Sequence, residues 1–311
     1  MDASNDDFVS ALPSELKNIV EDFKRSAETL SDQFREAMDV QPPSILCHYT
    51  NDTGLHGILK SGRLWLGHFS SMNDPSELKH GRSLASKLFE EAGWHEFAEY
   101  LNRSTTVKTD FFLCSLSEEG NDLSQWRSYG DDGRGFSIGF SGSDLDRSFS
   151  NENYPSGSFP SSFYLSYSES ELIDIFRRLI LAIRTPSQNY SPEQNQECNS
   201  QICMELARRI VFFSLHFKHP AYEREKEYRL LLQTPSCQAN TALKRSRGYE
   251  LIRYREFDWR AAGLIPRRII LGPAADPQKS RQFTMDCLQE TGIKIADVEI
   301  ADSGIPYRSF R

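Results

Sequence analysis

Several short stretches of this 311-residue chain carry side chains whose types and spacing could do chemistry. The first is His48-Tyr49-Thr50, at the end of the apolar run ILCHYT. Side chains alternate along a strand, so His48 and Thr50 share one face and Tyr49 takes the other. An imidazole beside a hydroxyl suits a ribose diol or an amide; the plainer reading is a strand-end histidine with its hydrogen bonds satisfied. The second stretch is AYEREKEYRLLL, with Glu223, Glu225, Glu227 and Arg229. A strand beginning near Glu225 puts Glu225, Glu227 and Arg229 on one face, directly before an apolar run. On a solvated edge a Glu–Arg pair contributes only ~0–1 kcal/mol. Beside an apolar pocket, the same carboxylate can accept a hydrogen bond from a sugar hydroxyl and stabilise a developing cation.

Trp126 and Tyr129 lie three residues apart in QWRSYGDDGRGF, which places them on one face of a short helical turn. Core packing is the ordinary role for such a pair; the sharper one is a wall for a flat ring such as nicotinamide. Gly130, Gly133 and Gly135 allow a tight, backbone-rich turn beside them. Asn73-Asp74-Pro75-Ser76-Glu77 reads as a helix start, with Asp74 as cap, Pro75 in the first turn and Glu77 completing a capping box. Capping does not account for Asn73, and the free N–H groups of a helix N-terminus suit a phosphate or a carboxylate. The stretch from Lys244 to Arg255 interleaves Lys244, Arg245, Arg247, Arg253 and Arg255 with Tyr249 and Tyr254. It reads as a solvated strand edge or as a rim that contacts phosphates.

Other chemistries lack their signatures. The chain has no P-loop, no GxGxxG after a strand, no HExxH and no GxSxG elbow. A metal-dependent nuclease or phosphodiesterase would have to draw on Asp74, Glu225 and Glu227, and the cysteines and histidines are not clustered as a zinc site requires. No metal is therefore expected. The net charge of −8 repels polyanions on average. Six cysteines without a CxxC pair, an acidic, polar start (MDASNDDFVS) and the lack of a bilayer-length apolar run favour a cytoplasmic protein with no membrane contact.

The elements that must position these residues follow from periodicity. Leu16, Ile19, Val20, Phe23, Leu30 and Phe34 form one face of an N-terminal helix over residues 13–38, broken by Pro42 and Pro43. It reads as a docking arm or a homodimer element. After strand ILCHYT, Thr53 caps a helix over residues 55–60 that stops at Gly62. RLWLGHF, FFLCSLS, FSIGFS, YELIRYREF, RRIILGP and IKIADVEIA read as strands, and residues 141–160 as a long loop. Leu172, Ile175, Phe176, Leu179, Ile180 and Ile183 mark one helix; Ile202, Leu206, Ile210 and Phe213 mark a second that starts at Pro192. A last helix follows Pro277. Strands and helices do not alternate strictly, which favours an α+β core over a doubly wound parallel sheet. The division expected is residues 1–44 as helix and linker, then one domain over 45–311 with a helical insertion near 169–217.

In order, HYT, GLHGILKSGRLWL, MNDPSE, FFLCSLSE, LSQWRSYGDDGRGFSIGF, FKHPAYEREKEYRLLL, IPRRIILGP and SGIPYR resemble a bacterial family known as domain of unknown function 2971, over residues 45–311. That family is similar to the ADP-ribosyltransferase superfamily. The resemblance implies a split mixed β-sheet core with flanking helices, NAD as substrate, and an acceptor that is protein, nucleic acid, small molecule or water. It matches His48 to the first-strand residue that holds an NAD ribose. It matches Glu227 to the late-strand glutamate that grips the nicotinamide ribose, with Glu225 completing an ExE pattern. Phe69, Ser70, Ser71 and Tyr129 are its candidates for the middle-strand pocket residue. Tyr49, Thr50, Asn73, Trp126 and Arg229 complete the implied NAD site. The function expected is an NAD-dependent ADP-ribosyltransferase, as a toxin or defence effector. The alternatives are the metal-dependent nuclease and a non-enzymatic nucleotide- or partner-binding module.

Overall fold

A computed structural model describes residues 14–38, 40–71, 76–103, 109–184, 196–235 and 241–309. The helices are α1 (Ser14–Met38), α2 (Asp52–Ser61), α3 (Ser76–Glu91), α4 (His95–Arg103), α5 (Leu123–Tyr129), α6 (Gly142–Ser150), α7 (Glu169–Arg184), α8 (Gln196–Ser214) and α9 (Pro277–Glu290). The strands are β1 (Ile45–Thr50), β2 (Leu64–His68), β3 (Thr109–Ser117), β4 (Phe136–Ser141), β5 (Phe159–Tyr164), β6 (Glu227–Pro235), β7 (Leu243–Arg247), β8 (Glu250–Phe257), β9 (Arg268–Leu271) and β10 (Glu299–Asp302). The α+β class expected from the sequence is observed: helices accompany an open mixed sheet. Contacts group the chain into two compact units.

One unit is helical and holds α1, α3, α4, α7 and α8. In α1, Val20, Phe23, Ala27, Leu30 and Phe34 are buried, a spacing of three and four residues that draws one stripe along the helix. The stripe packs against α7 and α8. Phe34 meets Phe213 edge-on at 5.2 Å. The apolar face read as a homodimer element is therefore covered by the chain's own helices, which removes the reason to place a second copy there. Leu172, Ile175, Phe176, Leu179 and Ile180 of α7 are buried as their period requires, and so are Ile202, Leu206, Ile210 and Phe213 of α8. The side chain of Ile183 and the start expected at Pro192 lie outside the described residues. A buried cation crosses this core: Arg209 donates to Glu205 at 2.7 Å, to Ser31 at 2.5 Å and to Glu28. Burial alone would raise the pKa of Glu205; Arg208 and Arg209 bring it down to about 2. The N-terminal helix thus groups with the helices read as an insertion.

The other unit holds the sheet, in the order β10-β9-β4-β1-β3-β2-β8-β7, with β6 pairing β3 and β5 off this path. β9 and β10 are parallel; β1 runs antiparallel to β4 over its whole length, with His48 opposite Ile138 and Thr50 opposite Phe136. Leu46, Leu66, Phe112, Ile138, Phe140, Leu230 and Leu232 are central to its core. Several details differ from the sequence reading. The cap of α2 is Asn51, whose Oδ1 accepts from Gly54 N at 2.8 Å; Thr53 sits within the first turn. Gly62 ends α2 at φ 70°, as expected. Residues 142–150 form α6, because Leu145 and Phe149 recur at helical spacing and bury inside a polar stretch. Within IKIADVEIA only residues 299–301 are in a strand, which runs on to Asp302 and follows a 3-10 turn at Ile295–Asp297.

Candidate functional site

β1, β3 and β6 bring the chemistry of three distant segments onto one residue, Ser115. The Nδ1 of His48 lies 3.3 Å from the carbonyl oxygen of Ser115. A carbonyl only accepts, so Nδ1 carries the proton in this contact. The Ser115 hydroxyl donates to Glu227 Oε1 at 2.5 Å. Glu227 is 3% exposed and begins β6, where Arg229 Nε donates to the same Oε1 at 2.8 Å and an Arg229 Nη2 lies 2.7 Å from it. The guanidinium, itself buried, offsets the burial of that carboxylate. Enclosure lowers the pKa of His48, and the Ser115 carbonyl works against that shift. Burial, with Glu227 close by, pushes the Cys114 thiol up to about 12, so it stays protonated and inert.

A second layer holds the corner before β6. The expectation that a strand begins near Glu225 does not hold. Pro220–Glu225 is a 3-10 helix, Lys226 takes φ 41°, and only then does β6 start. The left-handed residue breaks the alternation, so Glu225 leaves the face that Glu227 and Arg229 share. It is held by Ser117, whose hydroxyl donates to the Glu225 carbonyl at 2.6 Å, while Lys226 pairs with Glu119 at 2.6 Å. Tyr129, 36% exposed, reaches the Glu225 carboxylate at 3.5 Å. Ser115 and Ser117 point alternate hydroxyls of one strand at the two glutamates' segment. The sequence reading named Phe69, Ser70, Ser71 and Tyr129 for the middle-strand position and did not consider these two serines. The signal was the Ser-Leu-Ser spacing at the end of FFLCSLS.

Other named residues position this arrangement. Tyr49 is buried on the opposite face from His48; its hydroxyl donates to the Glu119 carbonyl at 2.7 Å and accepts from Asp122 N at 2.9 Å. Trp126 is fully buried, edge-on to Tyr49 at 4.8 Å, and its Nε1 donates to Asn121. It takes the core role; a buried indole offers no face to a flat ligand. Asp122 caps α5 through Ser124 N and Gln125 N, fixing the turn that presents Tyr129. Thr50 is packed beneath α2, where a Cβ on Gly54 would stand 1.8 Å from its Oγ1. Asn73 and Asp74, with the capping box expected there, lie outside the described residues. A separate cleft of ≈ 390 Å³, lined by Asp52, Arg134, Asp276 and Lys279 among others, contains none of these residues. Among the described residues no group of three or more His, Cys, Asp or Glu could hold a metal ion, and no helix is long and apolar enough to cross a membrane.

Residues 125–230 match a protein family. Its description is Protein of unknown function (DUF2971). The matched span holds Trp126, Tyr129, Glu225, Glu227 and Arg229 and leaves His48 and Ser115 outside, so it is narrower than the resemblance read over 45–311. No curated protein and no solved structure matches the chain.

Proposed function

We propose that this chain is an ADP-ribosyltransferase-like enzyme that takes NAD as substrate, with Glu227 as the catalytic carboxylate. The observation that carries the reading is the meeting of His48 and Glu227 on Ser115: a first-strand imidazole reaches the Ser115 carbonyl, and a late-strand carboxylate accepts from the Ser115 hydroxyl. Their order along the chain is that of the superfamily the sequence resembles. Transfer breaks the bond from the ribose C1′ to nicotinamide, which leaves with the electron pair, and an acceptor oxygen or nitrogen then bonds C1′ and loses its proton. Positive charge grows on the ribose as that bond breaks. A preorganised carboxylate stabilises it because the carboxylate needs no reorganisation at that moment. Ser115 and Arg229 keep Glu227 oriented. His48 holds a ribose hydroxyl, and Tyr129, above Glu225, supplies an aromatic edge at the mouth of the site.

The test is incubation of the full chain with nicotinamide-labelled NAD, alone and with cell lysate. Glu227→Gln should lower nicotinamide release on the order of 10²–10³-fold while the circular dichroism spectrum is unchanged. Near-wild-type turnover by the folded variant sinks the assignment. Nucleic-acid cleavage that depends on added divalent metal would replace it with the nuclease reading, and silence in both assays favours a binding module.

A further inference from the structure

β2 ends in a second constellation that the chemistry at Glu227 does not use. His68, the last residue of β2, is buried, and the 3-10 turn Phe69–Ser71 follows it. That turn brings the Ser70 hydroxyl back to His68 Nδ1 at 2.7 Å. On the far side of the ring, Nε2 lies 2.9 Å from Oδ1 of the buried Asp110 of β3. Arg253 of β8 donates to both oxygens of Asp110, at 2.9 and 3.1 Å, and its Nη2 stands 2.8 Å from Nε2. Phe69 and Phe112 lie against the imidazole, with centroids 4.5 and 5.3 Å away, and fix its plane. Asp110 and Ser115 are five residues apart on β3, so their side chains take opposite faces, ~17 Å apart along the strand.

The contacts place the ring's proton. The Ser70 backbone N–H stands 3.3 Å from Nδ1, and an N–H only donates. Nδ1 therefore turns its lone pair to Ser70, Nε2 carries the hydrogen, and Asp110 accepts it. A hydroxyl beside a base that a third group orients is the arrangement of an activated nucleophile, recognised by roles and geometry rather than by sequence position. A structural pin between β2, β3 and β8 accounts for His68, Asp110 and Arg253. It does not account for Ser70, an exposed residue whose hydroxyl sits on the ring nitrogen that the pin leaves open.

We infer that Ser70 is a nucleophile for the hydrolysis of carboxylic esters, with His68 as its general base and Asp110 as the residue that positions His68. Ser70 Oγ attacks the ester carbonyl carbon while its proton passes to His68 Nδ1. Nδ1 returns that proton to the alcohol oxygen as the bond from that oxygen to the acyl carbon breaks, leaving an acyl-serine. Water then attacks the acyl carbon, gives its proton to Nδ1, and the proton returns to Oγ as the acid leaves. Ester and water become acid and alcohol, with no further reactant. Arg247, whose Nη2 donates to the Ser71 carbonyl at 2.8 Å, is the cation beside the nucleophile for the oxyanion that forms. The inference does not rest on NAD.

The test treats full-length protein with a fluorophosphonate probe and reads the labelled serine by peptide mass spectrometry. Ser70 should carry the label, and its neighbour Ser71, which serves as an internal control, should not. Native Ser70 should react at least ~10²-fold faster than Ser70 of the urea-unfolded chain, a comparison that needs no variant. p-Nitrophenyl acetate should be turned over with a burst. Ser70→Ala should abolish that turnover with its thermal midpoint unchanged, because the side chain is exposed. Asp110→Asn should lower kcat on the order of 10²–10⁴-fold and leave KM near the wild-type value, a split that a purely structural role would not give. Where Asp110→Asn fails to fold, the native-against-unfolded labelling rate decides. Three results overturn the inference: no label on the native protein, label on Ser71 or other serines as fast as on Ser70, or wild-type ester turnover by Ser70→Ala.

Discussion

Glu227 and Arg229 form a pair in which neither ion has a cheap alternative. Both are almost wholly buried, so removing one leaves the other charged and desolvated. Arg229→Met should lower unfolding free energy by ~3–5 kcal/mol in denaturant titration, and the double variant Glu227→Gln/Arg229→Met should recover much of that loss. Equal destabilisation by the single and the double variant would show that Arg229 matters through packing alone. His48 gives a pH signature. Its ordinary pKa is 6.5, and burial lowers it in the fold. Above 6.5 the imidazole is neutral in both states and contributes no slope. As pH falls below 6.5 the unfolded chain takes up the proton first, so stability is lost until the folded value is reached. His48→Asn should flatten the stability curve on the acid side of 6.5, and an unchanged slope would assign it to other groups.

At the level of elements, the site depends on backbone approaches that leave no room for a side chain. Gly135 enters β4 where a Cβ would stand 2.1 Å from the Thr50 carbonyl oxygen and 2.9 Å from that of Gly130. Both obstacles are backbone, so Gly135→Ala must move β1 or the end of α5. We expect a loss of ~1–3 kcal/mol or more in thermal or denaturant unfolding, with weaker protection of the β1 and β4 amides. Residues like this mark the limit of what periodicity reveals. The strands ILCHYT and FSIGFS, the last helix and the buried stripes of α7 and α8 were legible, because burial enforces a period of two or about 3.6. α6 was not, since Leu145 and Phe149 are diluted by Ser, Gly and Asp that read as loop. Glu225 was misplaced because a left-handed φ at Lys226 breaks the alternation, and lysine gives no sign of it. Glu227 and His48 were singled out by residue type, whereas the Ser-Leu-Ser end of FFLCSLS marks Ser115 only weakly and its contacts with both give that spacing a meaning.

At the scale of the whole chain, residues that share chemistry and residues that share stability fall in different units. His48, Ser115, Glu225, Glu227 and Arg229 belong to the sheet unit, while α1 belongs to the helical one. Within that helical unit α1 is structural. It buries Val20, Phe23, Leu30 and Phe34 on α7 and α8, each worth ~1.5–3 kcal/mol, and it supplies Glu28 and Ser31 to the buried Arg209. Without α1, Phe213 loses its aromatic neighbour Phe34, and Arg209 keeps Glu205 but loses the two other acceptors. Deleting residues 1–40 should therefore lower the thermal midpoint and raise amide exchange across α7 and α8, which hydrogen exchange reads directly. NAD affinity should persist wherever the shortened chain folds, because no residue of the proposed site is removed. A shortened chain that folds yet no longer binds NAD bound by the full chain would place α1 in the site. Equal exchange in α7 and α8 with and without α1 would refute the structural role assigned to it.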